Sequence, residues 1–482
     1  MTTRCSRYIL TRTPLQTTKA TQLVWLRSDL RVHDNAALAS AMAAGPTIAC
    51  FVLSAKQWRD HDVGNARIAF LLRTLKELSA DLAKLRVPLK ILRAPLFADV
   101  PRVLARYVKK HAIAGVHFSA EYPLNERKRD SKTTRELEAL GCMVSVFEST
   151  VIRSPGTVLT GNNEPYTVFS PFKRRWLAEL GSGLDEVALP SAQKSTGIDA
   201  DAIPGSVDGA SAALFAELWP GGERVALARM TAFCTEAVAD YHAARDLPAL
   251  PGTSSLSPYL SVGALSPRRC FSAAGVAGAA DYAALDEGPA NWLSELIWRE
   301  FYRHVIAQFP HVSQLLPFKR AMAPVPWRYD TKDFSAWCTG NTGYPIVDAA
   351  QRQLLATGWM HNRLRMITAM FLTKHLLIDW RWGERHFMQH LVDGDFASNN
   401  GGWQWSASTG TDAAPYFRIF NPITQAKRFD GEGQFIKHYV PELAGLSGKA
   451  LLEPWTVTGH DYPPLIVDHK FARERALAAF KI

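Results

Sequence analysis

A doubly wound α/β domain, joined by a long connector to an all-helical domain, is the architecture this chain predicts. Three observations predict it. Short apolar runs of strand type alternate with helical patterns over residues 22–148. A stretch thick in Ser, Pro, Gly and Asp follows over 149–220. Strand signals then vanish from Glu223 onward, so 221–482 reads as helical. At 482 residues the chain is too long for one simple core.

Residues 1–21 carry several Lys and Arg and no acid, and are expected to form a disordered tail. Leu23–Leu26, Ile48–Leu53, Leu89–Leu92, Val116–Phe118 and Val144–Phe147 then follow as buried-strand runs. Between the second and third, Leu71, Leu75, Leu78, Leu82 and Leu85 recur at helical spacing. Such alternation makes a parallel sheet with helices on both faces. No G-x-G-x-x-G follows the first strand, so a dinucleotide of the usual Rossmann kind is not expected there. The 149–220 stretch reads as a connector wrapping the surface.

Composition narrows the classes of function. With 47% hydrophobic and 21% charged residues the chain is an ordinary globular protein, and no apolar run approaches the roughly 18 residues of a membrane span. Six scattered Cys without a C-x-x-C pair argue against a zinc site or a disulfide scaffold, and for the reducing cytoplasm. A net charge of +10 suits a polyanionic partner such as DNA. Fourteen Trp point to stacking, packing of large rings or redox work.

Residues 393–422, DGDFASNNGGWQWSASTGTDAAPYFRIFNP, show neither helical nor strand periodicity. They read as a long polar loop, whose ordering must be offset by something it binds. Upstream, Glu295, Trp298 and Tyr302 stand at i, i+3 and i+7 on one helix face, and Asn362 and Met366 form an i, i+4 pair. GTSSLSP, from Gly252 to Pro258, sets hydroxyls ahead of a helix start, as an anion cradle or an ordinary helix cap.

The 393–422 segment follows, in order, QLVWLRSDLRVHDNAAL from Gln22, LNERKRD from Leu124, RDLPALPGTSSLSPYLSVGALSPRRC from Arg245, ELIWREFYRH from Glu295 and TGYPIVDAAQRQLLATGWMHNRLRMITAMFL from Thr342. Together these motifs resemble the DNA photolyase/cryptochrome family, and within it the class I cyclobutane pyrimidine dimer photolyases of the folate type. The resemblance leaves out only the first twenty or so residues.

The resemblance implies reduced, non-covalent FAD lined by Tyr241, Thr253, Ser254, Ser255, Leu256, Ser257, Trp292, Arg365, Asp393, Gly394 and Asp395. Asn399 would face the flavin N5. Its neutral amide can accept a hydrogen bond from a protonated N5 without adding charge. Glu295, Trp298, Asn362, Met366 and Trp405 would form the pocket for two extruded pyrimidines, with Tyr302 beside them. Arg299 is placed with the substrate residues; the plainer reading of Glu295 is an uninvolved surface pair with Arg299, one turn away. Asn362 follows His361 where relatives that repair (6-4) photoproducts carry a His-His pair, which favours the cyclobutane class. Arg245, Arg363, Arg418 and Lys427 would hold phosphates of UV-damaged DNA. Trp403, Trp380 and Trp327 would form an electron relay from flavin to surface, although buried Trp is more often plain core.

An antenna is implied in the first domain. His61, Asn125 and Glu126 suggest 5,10-methenyltetrahydrofolate, with a deazaflavin or an empty site as alternatives. Ser313 and Gln314 stand where some folate-binding members carry Cys and Lys, which weakens the hold on an acidic folate tail. The expected function is light-driven splitting of cyclobutane dimers by electron transfer from excited reduced FAD. A monomer without membrane, metal or protein partner is expected. A cryptochrome-type photoreceptor is the alternative; Glu295 and Asn399 speak against it.

Overall fold

The computed structural model describes residues 20–181 and 184–481; the expected tail lies almost wholly outside them. Strands β1 (Gln22–Leu26), β2 (Thr47–Leu53), β3 (Leu89–Arg93), β4 (Gly115–Ser119) and β5 (Met143–Phe147) form one parallel sheet in the order β3-β2-β1-β4-β5. Register runs Leu23↔Ile48 and Leu23↔Val116 on the two sides of β1. All five expected strands are present. The central β1, β2 and β4 are buried along their whole length, as continuous apolar runs between two helix layers require, while the edges β3 and β5 are partly exposed. The helix Asn65–Lys84 buries Leu72, Leu75, Leu78 and Leu82 on one stripe against the sheet.

The connector holds more structure than its composition suggests. A helix, Phe169–Ala178, buries Phe169, Phe172 and Trp176, and a two-strand hairpin pairs Ser206–Val207 with Ala210–Ser211. Its three aromatic anchors repay the ordering that the Pro/Gly-rich flanks oppose.

Beyond Glu223, among the described residues, helices carry the fold. The longest, Glu287–Gln308, runs through the core with twelve buried residues. Around it lie Ser257–Val262, Asn362–Met370, Trp380–His390 and Phe396–Ser406. The last of these corrects the sequence reading: the first half of the 393–422 "loop" is an eleven-residue helix. Asp395 caps it, its carboxylate accepting from the Ser398 N–H at 3.0 Å. Burial against neighbouring helices, not amphipathic periodicity, holds it, which is why no helical stripe announces it.

The two domains lock together beside the candidate site. Arg31, fully buried after β1, donates to the carbonyls of Gly263, Ser149 and Asp34 at 2.9, 2.8 and 2.9 Å. The Leu30 N–H reaches the Val262 carbonyl at 3.2 Å. The RSDLR stretch thus seats the end of the Ser257–Val262 helix, whose start forms part of the cavity described next.

Candidate active site

The helical domain holds a cavity of about 520 Å³. Its walls come from segments far apart in sequence: 241–261, one face of Glu287–Gln308, the start of Asn362–Met370, and 393–406. It gathers Tyr241, Arg245, Thr253, Ser254, Ser255, Leu256, Ser257, Trp292, Glu295, Trp298, Arg299, Tyr302, Asn362, Arg363, Arg365, Met366, Asp393, Asp395, Asn399, Trp403 and Trp405. Most of the residues named from the resemblance therefore meet in one place. Gly394 does not reach the wall. It lies behind it, where a Cβ would stand 3.6 Å from the Met388 sulfur, between the two aspartates that do.

One side of the cavity suits a phosphorylated flavin. Among the described residues nothing bonds the hydroxyls of Thr253, Ser254 or Ser255, so they are free for an anion. Arg365 is held by Asp393 at 2.8 Å and by the Met360 carbonyl at 2.7 Å. Trp292, Leu296, Phe387 and Leu391 supply apolar wall for a ring system. Partial burial of Asp395 opposes its charge, yet Arg303 at 2.9 Å, Arg299 and the Ser398 hydrogen bonds hold its carboxyl well below the usual range. A fixed negative group thus closes this side.

Asn399 has a defined orientation. Its Nδ2 donates to the main-chain carbonyl of Glu384 at 3.0 Å, which leaves Oδ1 as the acceptor at the cavity. Glu384 itself went unnoticed in the sequence. Burial pushes its carboxyl up to about 7, and its Oε1 has no partner among the described residues.

The other side is a slot. Trp298 stacks on Phe169 of the connector helix, with ring centroids 3.6 Å apart and planes within 11°. Trp405, Met366 and Asn362 complete it. Glu295 pairs with Arg245 at 2.8 Å through one carboxylate oxygen, not with Arg299. Arg299 lines the cavity but makes no pair with Glu295; its guanidinium donates to the carbonyls of Thr150 and Leu260 at 2.9 and 3.1 Å. Burial and the nearby Arg303 lower its pKa to about 9. An arginine so tied fastens the connector to the site. At the rim, Arg363 pairs with Asp246 at 2.6 Å and lies 4.6 Å over the Phe429 ring. Arg418 and Lys427 are exposed, away from the cavity wall. Trp359, missed in the sequence, lines the cavity and donates to Ser257 Oγ at 3.3 Å.

Trp403 borders the cavity and is buried. Its ring fits into the notch at Gly383, where a Cβ would stand 2.1 Å from it, one turn along the helix from buried Trp380. Arg328 N–H bonds the Leu377 carbonyl at 2.7 Å, which draws half-buried Trp327 alongside the start of that helix.

A second cleft, about 220 Å³, lies between the sheet domain and the helical domain. It brings together His61, Asn125, Glu126 and Ser313. His61 and Asn125 approach to 3.4 Å. Glu126 is raised to about 7 by burial and by Glu121.

Comparison with known proteins finds relatives over nearly the whole chain. A family model described as DNA photolyase matches residues 22–192, and one described as FAD binding domain of DNA photolyase matches residues 292–482. The deoxyribodipyrimidine photo-lyase of Salmonella typhimurium is 45% identical over 470 residues, covering 96% of this chain and 98% of its own. That of Escherichia coli is 44% identical with the same coverage. Among solved structures, a class III photolyase from Agrobacterium tumefaciens matches with a TM-score of 0.86 at 35% identity, covering 97% of this chain and 98% of its own. A Synechocystis cryptochrome matches with 0.81 at 26%, covering 96% and 100%. The chain belongs to the DNA photolyase family, and its helical domain is the family's FAD-binding domain.

Proposed function

We propose that this protein is a light-dependent DNA repair enzyme that splits cyclobutane pyrimidine dimers. The observation that carries the reading is a single cavity with a flavin wall on one side and, on the other, a slot of Trp298, Trp405, Met366, Asn362 and Glu295. FAD, when bound and reduced, supplies the light-excited electron that opens the cyclobutane ring and then takes it back. The protein's own residues do the rest. Trp298 and Trp405 offer flat faces to extruded bases, and Asn362 and the free oxygen of Glu295 read their polar edges. Arg245 holds one Glu295 oxygen in place and leaves the other facing the slot. Asn399, its Nδ2 held by the Glu384 carbonyl, would offer Oδ1 to an N–H of the flavin without adding charge. Loss of dimers from irradiated DNA only under blue light and only with reduced flavin is the result this reading expects. A protein that binds dimers but leaves them intact in light is a photoreceptor instead.

A monomer binding damaged DNA is expected to use Arg418 and Lys427 on phosphates, because both are exposed and neither is ion-paired among the described residues. Arg418→Ala and Lys427→Ala should each lower the slope of log affinity against log salt by about one. Unchanged slopes would return them to plain surface charge.

The interdomain cleft is the antenna site of this reading, with methenyltetrahydrofolate as pigment, held by Asn125, Glu126 and His61. The carboxylate form of Glu126 would accept an N–H of the pterin. With its pKa near 7 in the free cleft, Glu126 is charged above that pH and neutral below it. Folate affinity should therefore fall as pH drops below 7, by about tenfold per unit until the bound-state pKa is reached. Titration followed by the pigment's near-ultraviolet band measures it, and Glu126→Gln should flatten the dependence.

A further inference from the structure

The chain's excess of positive charge does not lie where the lesion slot is. Residues 149–482, which build the cavity, carry 31 Lys and Arg against 32 Asp and Glu. Residues 22–148 carry 20 against 13. Several cations of the sheet domain are tied within the fold. Arg31 and Arg73 donate to main-chain carbonyls, and Arg27 and Arg129 pair with Asp130 and Glu121. Untied cations gather on two helices that pack side by side, Val100–Lys110 and Leu124–Glu138.

Each helix turns one stripe to the sheet and the opposite stripe outward. The first buries Val100, Leu104 and Val108 and exposes Arg106, Lys109 and Lys110. The second buries Arg129, Thr133 and Leu137 and exposes Lys128, Lys132 and Arg135. Of these six exposed cations only Lys132 has an ion-pair partner among the described residues, Glu136 at 3.9 Å. The other acids of this face are Glu138 and Asp99, and Arg102 holds Asp99 at 3.4 Å. Packed helices have axes about 8–10 Å apart. That separation lies between the minor and major groove widths of B-DNA, about 6 and 12 Å. Two rows of long cationic side chains so spaced can reach phosphates on both sides of a groove. The face also points away from the helical domain. Val24, Leu26 and Phe51 belong to the core that continues into that domain, with Leu260 and Trp292. Leu23, Trp25 and Cys50, on the other side of the sheet, pack with Leu104, Val108 and Leu137 of the two basic helices.

We propose that this outer face of the sheet domain is a second, sequence-independent DNA-binding surface, which holds one duplex while the lesion slot samples another. The inference rests on the reading that the protein acts on DNA. Charge of one sign spread over a solvent face gives little to folding and attracts a polyanion at long range. Duplex DNA is the polyanion on which that reading has the protein work. With surfaces on opposite faces, the protein bridges two duplexes briefly and passes from one to the other without dissociating into solution. If four of the cations each neutralise one phosphate, affinity at this face falls on the order of a hundredfold between about 50 and 200 mM salt. Transfer between duplexes is therefore fastest at low salt.

The test mixes full-length, FAD-loaded protein, bound to a short fluorescent lesion-free duplex, with unlabelled duplex at low salt. Release from the parent should speed up in proportion to the concentration of unlabelled duplex, because the second duplex joins before the first leaves. In the combined variant Arg106→Gln, Lys109→Gln, Lys128→Gln and Arg135→Gln, release should become independent of that concentration and severalfold slower at its upper end. Flavin content and repair of a dimer in a short duplex should match the parent in this variant, which shows that the fold and the lesion site are intact. Concentration-independent release from the parent, or unchanged concentration dependence in the variant, overturns the second surface. Loss of short-duplex repair in the variant overturns it too, since the cations would then belong to the footprint around the lesion. Binding to phosphatidylserine vesicles that the variant loses while its duplex transfer persists would assign the face to a membrane instead. Transfer by a parent protein that repairs no dimer in light would sink the repair reading and leave the second surface standing.

Discussion

Glu295→Ala is expected to hold FAD at the parent ratio and to split dimers roughly tenfold or more slowly. The carboxylate stands on the slot side of the cavity, paired with Arg245 at 2.8 Å, and lies outside the flavin wall. Its removal leaves polar edges of the extruded bases without a partner in a half-buried slot. An unpaired buried polar group costs about 1–3 kcal/mol, and about 1.4 kcal/mol is tenfold. The variant also frees Arg245, which can reach for a phosphate, so affinity for undamaged DNA should rise slightly as lesion affinity falls. Flavin absorbance, lesion-DNA affinity and repair rate, measured together, separate these effects. Loss of flavin with repair would place Glu295 in the cofactor site instead.

The adjacent glycines Gly401 and Gly402 should respond to the same substitution in opposite ways. Both lie in the Phe396–Ser406 helix, where Gly→Ala normally gains up to about 1 kcal/mol. At Gly401 a Cβ would stand 2.2 Å from the Tyr302 ring, which lines the cavity and packs on Trp298. Overpacking costs about 1–3 kcal/mol, so the clash outweighs the helical gain. Gly401→Ala should lower the melting temperature and deform the slot. At Gly402 a Cβ meets nothing within 4 Å, and the residue borders the cavity. Gly402→Ala should leave the flavin-free protein as stable or slightly more so, yet weaken FAD retention, because the methyl occupies space meant for the cofactor. Melting curves with and without added FAD distinguish the pair. Equal behaviour of the two variants would mean that the cavity is not where the flavin sits.

These contrasts also show what the sequence could and could not reveal. The sheet was legible because a parallel strand buried on both faces must be a continuous apolar run, and β1, β2 and β4 are such runs. The helix at Phe396–Ser406 was not legible. Its face carries Asn400, Gln404 and Ser406 into the core, where Gln404 bonds the Phe318 N–H at 2.8 Å and Asn400 at 2.9 Å. Polar side chains on the buried face erase the apolar periodicity that a helix otherwise displays. Glu295, Trp298 and Tyr302 were placed on one face by spacing alone, since a helix fixes its own geometry. The partners of the arginines were not, because ion pairs such as Arg363–Asp246 join residues 117 apart. Arg299 and Arg418 look alike in sequence, and only packing separates the inward cation from the outward one.

The most direct test of the account offers the reduced protein two purified lesions under blue light: a cyclobutane pyrimidine dimer and a (6-4) photoproduct in the same DNA sequence. The slot built from Glu295, Asn362, Met366, Trp298 and Trp405 predicts that the dimer disappears and restores two pyrimidines, while the (6-4) product persists. Repair of the (6-4) product with the dimer left intact would contradict it.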